Sequence, residues 1–299
     1  MSIEDLKLLE KSGLGTYQVF HETYHHATYA RLHPAGTFKA DYDWRLYCHH
    51  RAQEAGIDDV AVGVLFGLYD WRFEVMGLLH HAIDLERQCG IGPHTVSFPR
   101  LEPAGNTDEA VHTSPYRVSD ADFKKIVTIL RLAIPYAGMI LTARENEQVR
   151  NEVMPLGVTQ FDASTRIGIG AYADSDGSQD EQRQQFMLGD TRSLDEVVRD
   201  LARKGSIVSF CTAGYRCGRT GEKIMGLLRS GKEGQFCKLN AILTYREWLD
   251  DFASDETRAI GLRLIEQELG EVADQLPKFY KPLLKSYERI KSGERDLFF

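Results

Sequence analysis

No run of apolar residues in this 299-residue chain reaches the roughly 20 positions that a helix needs to cross a bilayer, so no membrane partner is expected. Basic charge is in deficit: 36 Lys and Arg stand against 44 Asp and Glu, a net charge of −8, and no basic stripe stands out. A nucleic-acid partner is therefore not expected either. Cysteine is scarce, and five is an odd count without a secreted disulfide pattern, which fits a reducing compartment. The opening stretch MSIEDLKLLEKSG is acidic and amphipathic and is no signal peptide. A cytoplasmic location is expected, with organelle import left open. Low-complexity segments and sequence repeats are missing as well.

What is present is an alternation of short β-rich runs with longer helical patterns. Residues 15–21, 59–66, 95–98, 139–141 and 157–161 read as strands, the second of them the near-continuous apolar kind that is buried on both faces. Helices are expected over 42–56 and 70–90, after Ser119 with Asp122 three residues on, and after Thr142 with Glu145 as a capping box. Such βα order argues for parallel strands joined by crossover helices. Five strands fall short of the eight of a closed barrel. Residues 173–192 are polar and turn-rich and read as a solvated connection, with a lid as the functional alternative. Beyond it, Ser193 and Glu196 cap one helix, and Ile207–Phe210 reads as a strand. Thr244 and Glu247 cap another helix, whose Tyr245, Trp248, Leu249 and Phe252 form one apolar stripe. The basic segment Lys278–Arg295 reads as a solvated helical face. The expected organisation is a partial barrel over 1–172, a linker over 173–192 and a mainly helical domain over 193–299.

The densest chemistry lies between Ser209 and Asn240. Cys211, Cys217 and Cys237 are set there among glycines and arginines, and a short apolar run delivers Cys211 to a glycine-rich loop. Three thiols in such a loop point to a metal–sulfur site, since a cluster with three thiolate ligands keeps one iron open. Free buried cysteines acting as small hydrophobes are the plain alternative. Cys48 and Cys89 sit in helical patterns and read as packing residues. The paired histidines His25-His26, His49-His50 and His80-His81 point to different sides of their elements and are discounted as metal sites.

The run Cys211-Thr-Ala-Gly214-Tyr-Arg-Cys217-Gly-Arg-Thr-Gly221 resembles the C-T-A-C-Y-R-x-G-R-T-G signature of the HydG family. These are the radical S-adenosylmethionine (SAM) tyrosine lyases of [FeFe]-hydrogenase maturation. Cys237 falls where that family's third cysteine belongs. Gly214 stands where its second belongs, and Cys217, three residues on, shares a face with position 214 if the loop is helical. Three further segments match. Glu22, Tyr24 and His25 match Q-E-T-Y-H, with His21 departing from it. Gly92-Pro-His94-Thr leads to Arg100, and Asp162-Ala-Ser164-Thr-Arg166 follows the last strand.

The resemblance implies the later part of a parallel (β/α)8 barrel followed by a mainly helical domain that carries an auxiliary [4Fe-4S] cluster. It implies His94 as ligand to an extra iron on that cluster, Arg166 with Ser164 at the tyrosine, and Glu22, Tyr24 and Arg100 toward SAM. A carboxylate at Glu22 suits an amino group, and an arginine at a strand end suits a carboxylate. The activity implied is cleavage of tyrosine to p-cresol and dehydroglycine, with carbon monoxide and cyanide formed for hydrogenase assembly. Tyrosine and the hydrogenase maturation proteins are the implied partners. The C-x3-C-x2-C of a radical SAM cluster occurs nowhere in the chain. The chain is therefore expected to be inactive alone and to need an N-terminal barrel fragment. The alternative is a non-catalytic iron–sulfur or zinc-binding protein derived from the same fold.

Overall fold

A computed structural model describes residues 1–102, 113–173, 179, 184–210, 217–219 and 221–299. The described residues form two compact units, Met1–Thr191 and Arg192–Phe299.

The first unit is built on a five-stranded, wholly parallel sheet in sequential order: β1 (Tyr17–Gln18), β2 (Val60–Gly63), β3 (Thr95–Ser97), β4 (Gly138–Leu141) and β5 (Gln160–Phe161). Register runs Tyr17 to Val60, Val62 to Val96, Val96 to Met139 and Leu141 to Phe161. Among the described residues β1 and β5 do not pair, so the sheet is open, as the later part of a parallel barrel must be. All four residues of β2 are buried, because helices cover one face of the sheet and its neighbours line the other.

The helices of this unit are α1 (Ile3–Lys11), α2 (His26–Leu32), α3 (Tyr42–Leu46), α4 (Cys48–Glu54), α5 (Trp71–Cys89), α6 (Asp120–Ala133) and α7 (Glu147–Val153). The expected helix over 42–56 is broken at Tyr47 into α3 and α4. Asp70 caps α5, and Gly90 ends it in the left-handed region at φ 77°, which glycine adopts without a Cβ penalty. Phe123, Ile126, Val127 and Leu130 of α6 and Leu78, Ala82 and Leu85 of α5 meet Val62, Val96 and Met139 in one core.

The capping box expected at Thr142 and Glu145 does not form. Asn146 caps α7, because Glu145 is drawn into a buried pair with Arg100. Residues 184–190 are not a solvated connection. Gly189 and Asp190 donate backbone N–H groups to Ala143 O at 2.9 and 3.1 Å, Leu188 is buried, and buried Asp190 pairs with buried Arg150 at 3.2 Å.

The second unit is helical: α8 (Leu194–Arg203), α9 (Gly221–Arg229), α10 (Glu233–Asp251), α11 (Asp255–Gln275) and α12 (Pro277–Lys291). Ser193 and Glu196 make the expected reciprocal cap on α8. Ile207–Phe210 forms no strand; Ile207 and Val208 pack on the helical core instead. No helix starts at Thr244. Its hydroxyl donates to Asn240 O at 2.9 Å inside the unbroken α10, the back-bonding open to a mid-helix threonine. Tyr245, Trp248 and Leu249 are buried as expected, whereas Phe252 ends the helix exposed. The basic α12 is solvated on one face only, and Leu283, Tyr287 and Ile290 bury the other. Among the described residues no helix is long and apolar enough to cross a membrane.

Candidate active-site cleft and cysteine site

A cleft of about 1050 Å³ lies over the C-terminal ends of the strands, where βα folds place their chemistry. Its walls come from the residues that leave each strand: Phe20 and Glu22 after β1, Leu65 after β2, Pro99 after β3, Thr142 and Arg144 after β4, Asp162 and Thr165 after β5. Gln185, Phe186 and Leu188 add a further wall from the packed segment 184–190.

Glu22 is held in the left-handed region at φ 80°, a strained backbone for a non-glycine residue. The turn is fixed by His21 N–H to Gly63 O and Leu65 N–H to Glu22 O, each at 2.9 Å. Its carboxylate accepts from Lys39 Nζ at 2.6 Å. Arg45 is anchored on Phe20 O by Nε at 3.1 Å and Nη2 at 2.7 Å.

Arg144 differs from the other cations of the cleft. Its guanidinium lies 3.3 Å over the Phe186 ring centroid and makes no hydrogen bond or ion pair with any described residue. Burial pushes its pKa down to about 10, against the opposing charges of Glu102, Glu22 and Glu145. Burial also raises the carboxyl groups of Glu102 and Asp162, both on the cleft wall. Arg144 was not singled out from the sequence. The available signal was its place just past the end of β4, since charged side chains at strand C-termini are catalytic candidates in this architecture.

Of the residues expected to carry function, Glu22 lies in the cleft and Ser164 and Arg166 flank it. Ser164 takes φ 56°. Arg166 spends Nη1 on the carbonyls of Thr165 and Thr191, both at 3.3 Å. Tyr24 and Arg100 are not on the cleft wall. Tyr24 is buried, with its hydroxyl 2.9 Å from His81 Nδ1. Arg100 gives its fork to Glu145, with Nε–Oε1 at 2.9 Å and Nη2 close to Oε2. It gives Nη1 to Val118 O and Asp120 at 3.0 and 2.8 Å. A guanidinium so committed has no open edge for a cofactor carboxylate. His94 precedes β3 and pairs with Asp59 Oδ2 at 2.6 Å, at the opposite ends of the strands from the cleft.

In the second unit, Cys217 and Cys237 carry free thiols, and Cys211 lies outside the described residues. Cys217 Sγ donates to Phe299 O at 3.6 Å, and Arg219 Nη2 donates to the same oxygen at 2.7 Å. Asn240 closes the group: its Oδ1 accepts from Phe299 N–H at 2.7 Å and its Nδ2 donates to Phe299 O at 3.4 Å. Asn240 stands three residues after Cys237 on α10, on the same helical face. Cys217 is thereby docked beside the turn of α10 that bears Cys237. Among the described residues no three acidic, cysteine or histidine groups converge on a metal position. The free thiols of Cys217 and Cys237 are of the kind that holds an iron–sulfur cluster.

Residues 97–207 match the family model described as the Biotin and Thiamin Synthesis associated domain. Two curated relatives are named 2-iminoacetate synthase. The one from Escherichia coli is 32% identical over 198 residues, 66% of this chain and 50% of that protein. The one from Salmonella typhimurium is 30% identical over 206 residues, 69% of this chain and 52% of that protein. The chain spans about half the length of these curated relatives. A crystal structure of HydG, described as a maturase of the [FeFe]-hydrogenase, superimposes with a TM-score of 0.92 at 44% identity, covering 100% of this chain and 63% of that one. HydG from Carboxydothermus hydrogenoformans gives a TM-score of 0.74 at 38% identity over 96% of this chain and 60% of that one. The fold is thus the later part of a radical SAM barrel, followed in the chain by a helical unit. The chain belongs to the ThiH/HydG-like radical SAM proteins and corresponds to the C-terminal part of HydG.

Proposed function

We propose that this chain is the substrate-cleft and auxiliary-cluster part of a tyrosine lyase of hydrogenase maturation. The reaction is cleavage of tyrosine to p-cresol and dehydroglycine, with carbon monoxide and cyanide formed for the hydrogenase cofactor. The single observation that carries this reading is Arg144: a half-buried guanidinium on the cleft wall that makes no hydrogen bond or ion pair with an acid among the described residues, in a cleft that Glu22 also lines. The carboxylate of tyrosine complements the first charge, and the ammonium group of SAM complements the second.

In this reading Arg144 takes the tyrosine carboxylate, and Arg166 and Ser164, which follow β5, serve the tyrosine site with it. Glu22 takes the amino group of SAM, exchanging its Lys39 contact for a ligand ammonium. Phe20 and Phe186 exclude water from the ring. Cys211, Cys217 and Cys237 hold the auxiliary [4Fe-4S] cluster. When bound, the radical cluster and SAM together supply the hydrogen-abstracting radical. The ligands for that cluster, C-x3-C-x2-C, come from an N-terminal barrel segment. Tyr24 and Arg100 support the cleft from behind. Hydrogenase maturation proteins are the receiving partners.

Calorimetric titration of the full chain with L-tyrosine tests the carboxylate site. A charge-assisted hydrogen bond contributes about 1.5–3 kcal/mol, so Arg144→Leu should weaken tyrosine at least about tenfold. The same substitution should leave tyramine, which lacks the carboxylate, unaffected. Equal affinity of tyrosine for both proteins would remove Arg144 from the site.

A further inference from the structure

Glu22 holds an unfavourable backbone conformation at the cleft, and the segment that follows it is gripped by one stripe of a helix that never reaches the cleft. Glu74, Gly77 and His81 fall at i, i+3 and i+7 on α5, one face of the helix. Glu74 is fully buried. Its Oε1 accepts the Thr23 hydroxyl, and its Oε2 accepts the Tyr24 backbone N–H at 2.8 Å. At Gly77 a Cβ would stand 2.5 Å from Tyr24 Cδ2 and 2.7 Å from Tyr24 Cβ, so only glycine lets the ring lie against the helix. His81 Nδ1 meets the Tyr24 hydroxyl at 2.9 Å. Three successive contacts on one face thus serve two residues, Thr23 and Tyr24. Thr23 Oγ1 then accepts His25 N–H at 3.1 Å, which carries the grip to the cap of α2.

A buried carboxylate is expensive without hydrogen bonds, and the two that Glu74 accepts both come from the segment directly after Glu22. No cation pairs with it among the described residues. A structural core position would be filled more cheaply by an apolar residue of similar volume. We propose that Glu74 is a positioning residue for Glu22: by clamping Thr23 and Tyr24 it keeps the Glu22 turn in its left-handed conformation and its carboxylate in the cleft. This rests on the reading of Glu22 as the acceptor of the ligand's ammonium group.

Equilibrium dialysis of S-adenosylmethionine against the full chain, with crystal structures of the variants, tests it. Glu74→Leu keeps the volume and removes both acceptors; it should weaken SAM about tenfold or more, because the freed turn no longer holds the Glu22 carboxylate in the cleft. Glu74→Gln retains an acceptor for Tyr24 N–H and a group for the Thr23 hydroxyl, and should recover affinity to within about threefold. Thr23→Val, isosteric and lacking one donor, should fall between them and serves if Glu74→Leu does not fold. In the variant crystals Glu22 should leave φ 80° and its 2.6 Å contact with Lys39 should open. SAM affinity unchanged in Glu74→Leu and Thr23→Val, while Glu22→Gln loses it, would overturn the positioning role. Affinity unchanged in Glu22→Gln, or no binding by the parent chain, would instead defeat the reading of Glu22. The position of Glu22 in the variant crystals then decides the role of Glu74 alone, an unmoved Glu22 turn overturning it.

Discussion

Replacing Gly77 with alanine sets helix propensity against packing, and the structure says which wins. In a helix interior glycine costs roughly 0.5–1 kcal/mol relative to alanine, so propensity alone predicts a gain. The added methyl, however, would lie 2.5 Å from Tyr24 Cδ2, far inside carbon contact distance. The ring has little room to withdraw. Its hydroxyl is tied to His81, its backbone N–H to Glu74, and its ring centroid lies 5.0 Å from that of His21. Overpacking of this kind costs about 1–3 kcal/mol, so the net expectation is a loss of about 1–2 kcal/mol. Gly270 of α11 supplies the control, because a Cβ there meets nothing within 4 Å and Gly270→Ala should gain about 0.5–1 kcal/mol. Amide hydrogen exchange reads each helix separately: protection should fall in α5 of Gly77→Ala and rise in α11 of Gly270→Ala. If Gly77→Ala raises protection as Gly270→Ala does, the Tyr24 cradle is not as described and the argument for Glu74 loses its geometry.

Three other outcomes follow from the same contacts. Burial raises Glu74 from 4.5 to about 7, so the folded state binds its proton more tightly. Stability from this group is then complete below pH 4.5 and is lost as pH rises through 7, by about 3 kcal/mol; urea titrations of Glu74→Gln should lack most of that fall. Arg100→Met should destabilise by about 3–5 kcal/mol, because it leaves Glu145 buried without its cation; unchanged stability with lost SAM binding would return Arg100 to the cofactor site. Cys237→Ser and Cys217→Ala should each lower iron retained after anaerobic reconstitution, measured with electron paramagnetic resonance. Iron unchanged in Cys217→Ala would leave Gly214's missing ligand without that replacement.

The parallel strands were legible because β2 and β4 are apolar runs bounded by glycine, proline and helical patterns. The caps at Ser119 and Ser193 were legible from side-chain chemistry alone. The failures share one physical cause, that tertiary partners outbid local signals. Glu145 leaves a capping box for a buried arginine, Thr244 bonds back within a helix that packing extends through it, and Ile207–Phe210 finds a helical core rather than a sheet edge. The site was partly legible. Glu22 and the cysteines stand out by residue type and resemblance. Arg144 does not, because an arginine becomes informative only once folding buries it in a cleft without a hydrogen-bonded acid among the described residues. Glu74 is silent in sequence for the opposite reason: its partners, Thr23 and Tyr24, lie about 50 residues away.

The measurement that bears most directly on the account is formation of p-cresol from tyrosine. The reconstituted chain is incubated anaerobically with SAM, dithionite and tyrosine, with and without an N-terminal barrel segment bearing C-x3-C-x2-C. The account predicts p-cresol only when that segment is present, and a large loss when the chain carries Arg144→Leu. Catalytic p-cresol from this chain alone, or an assembled enzyme indifferent to Arg144→Leu, would contradict it.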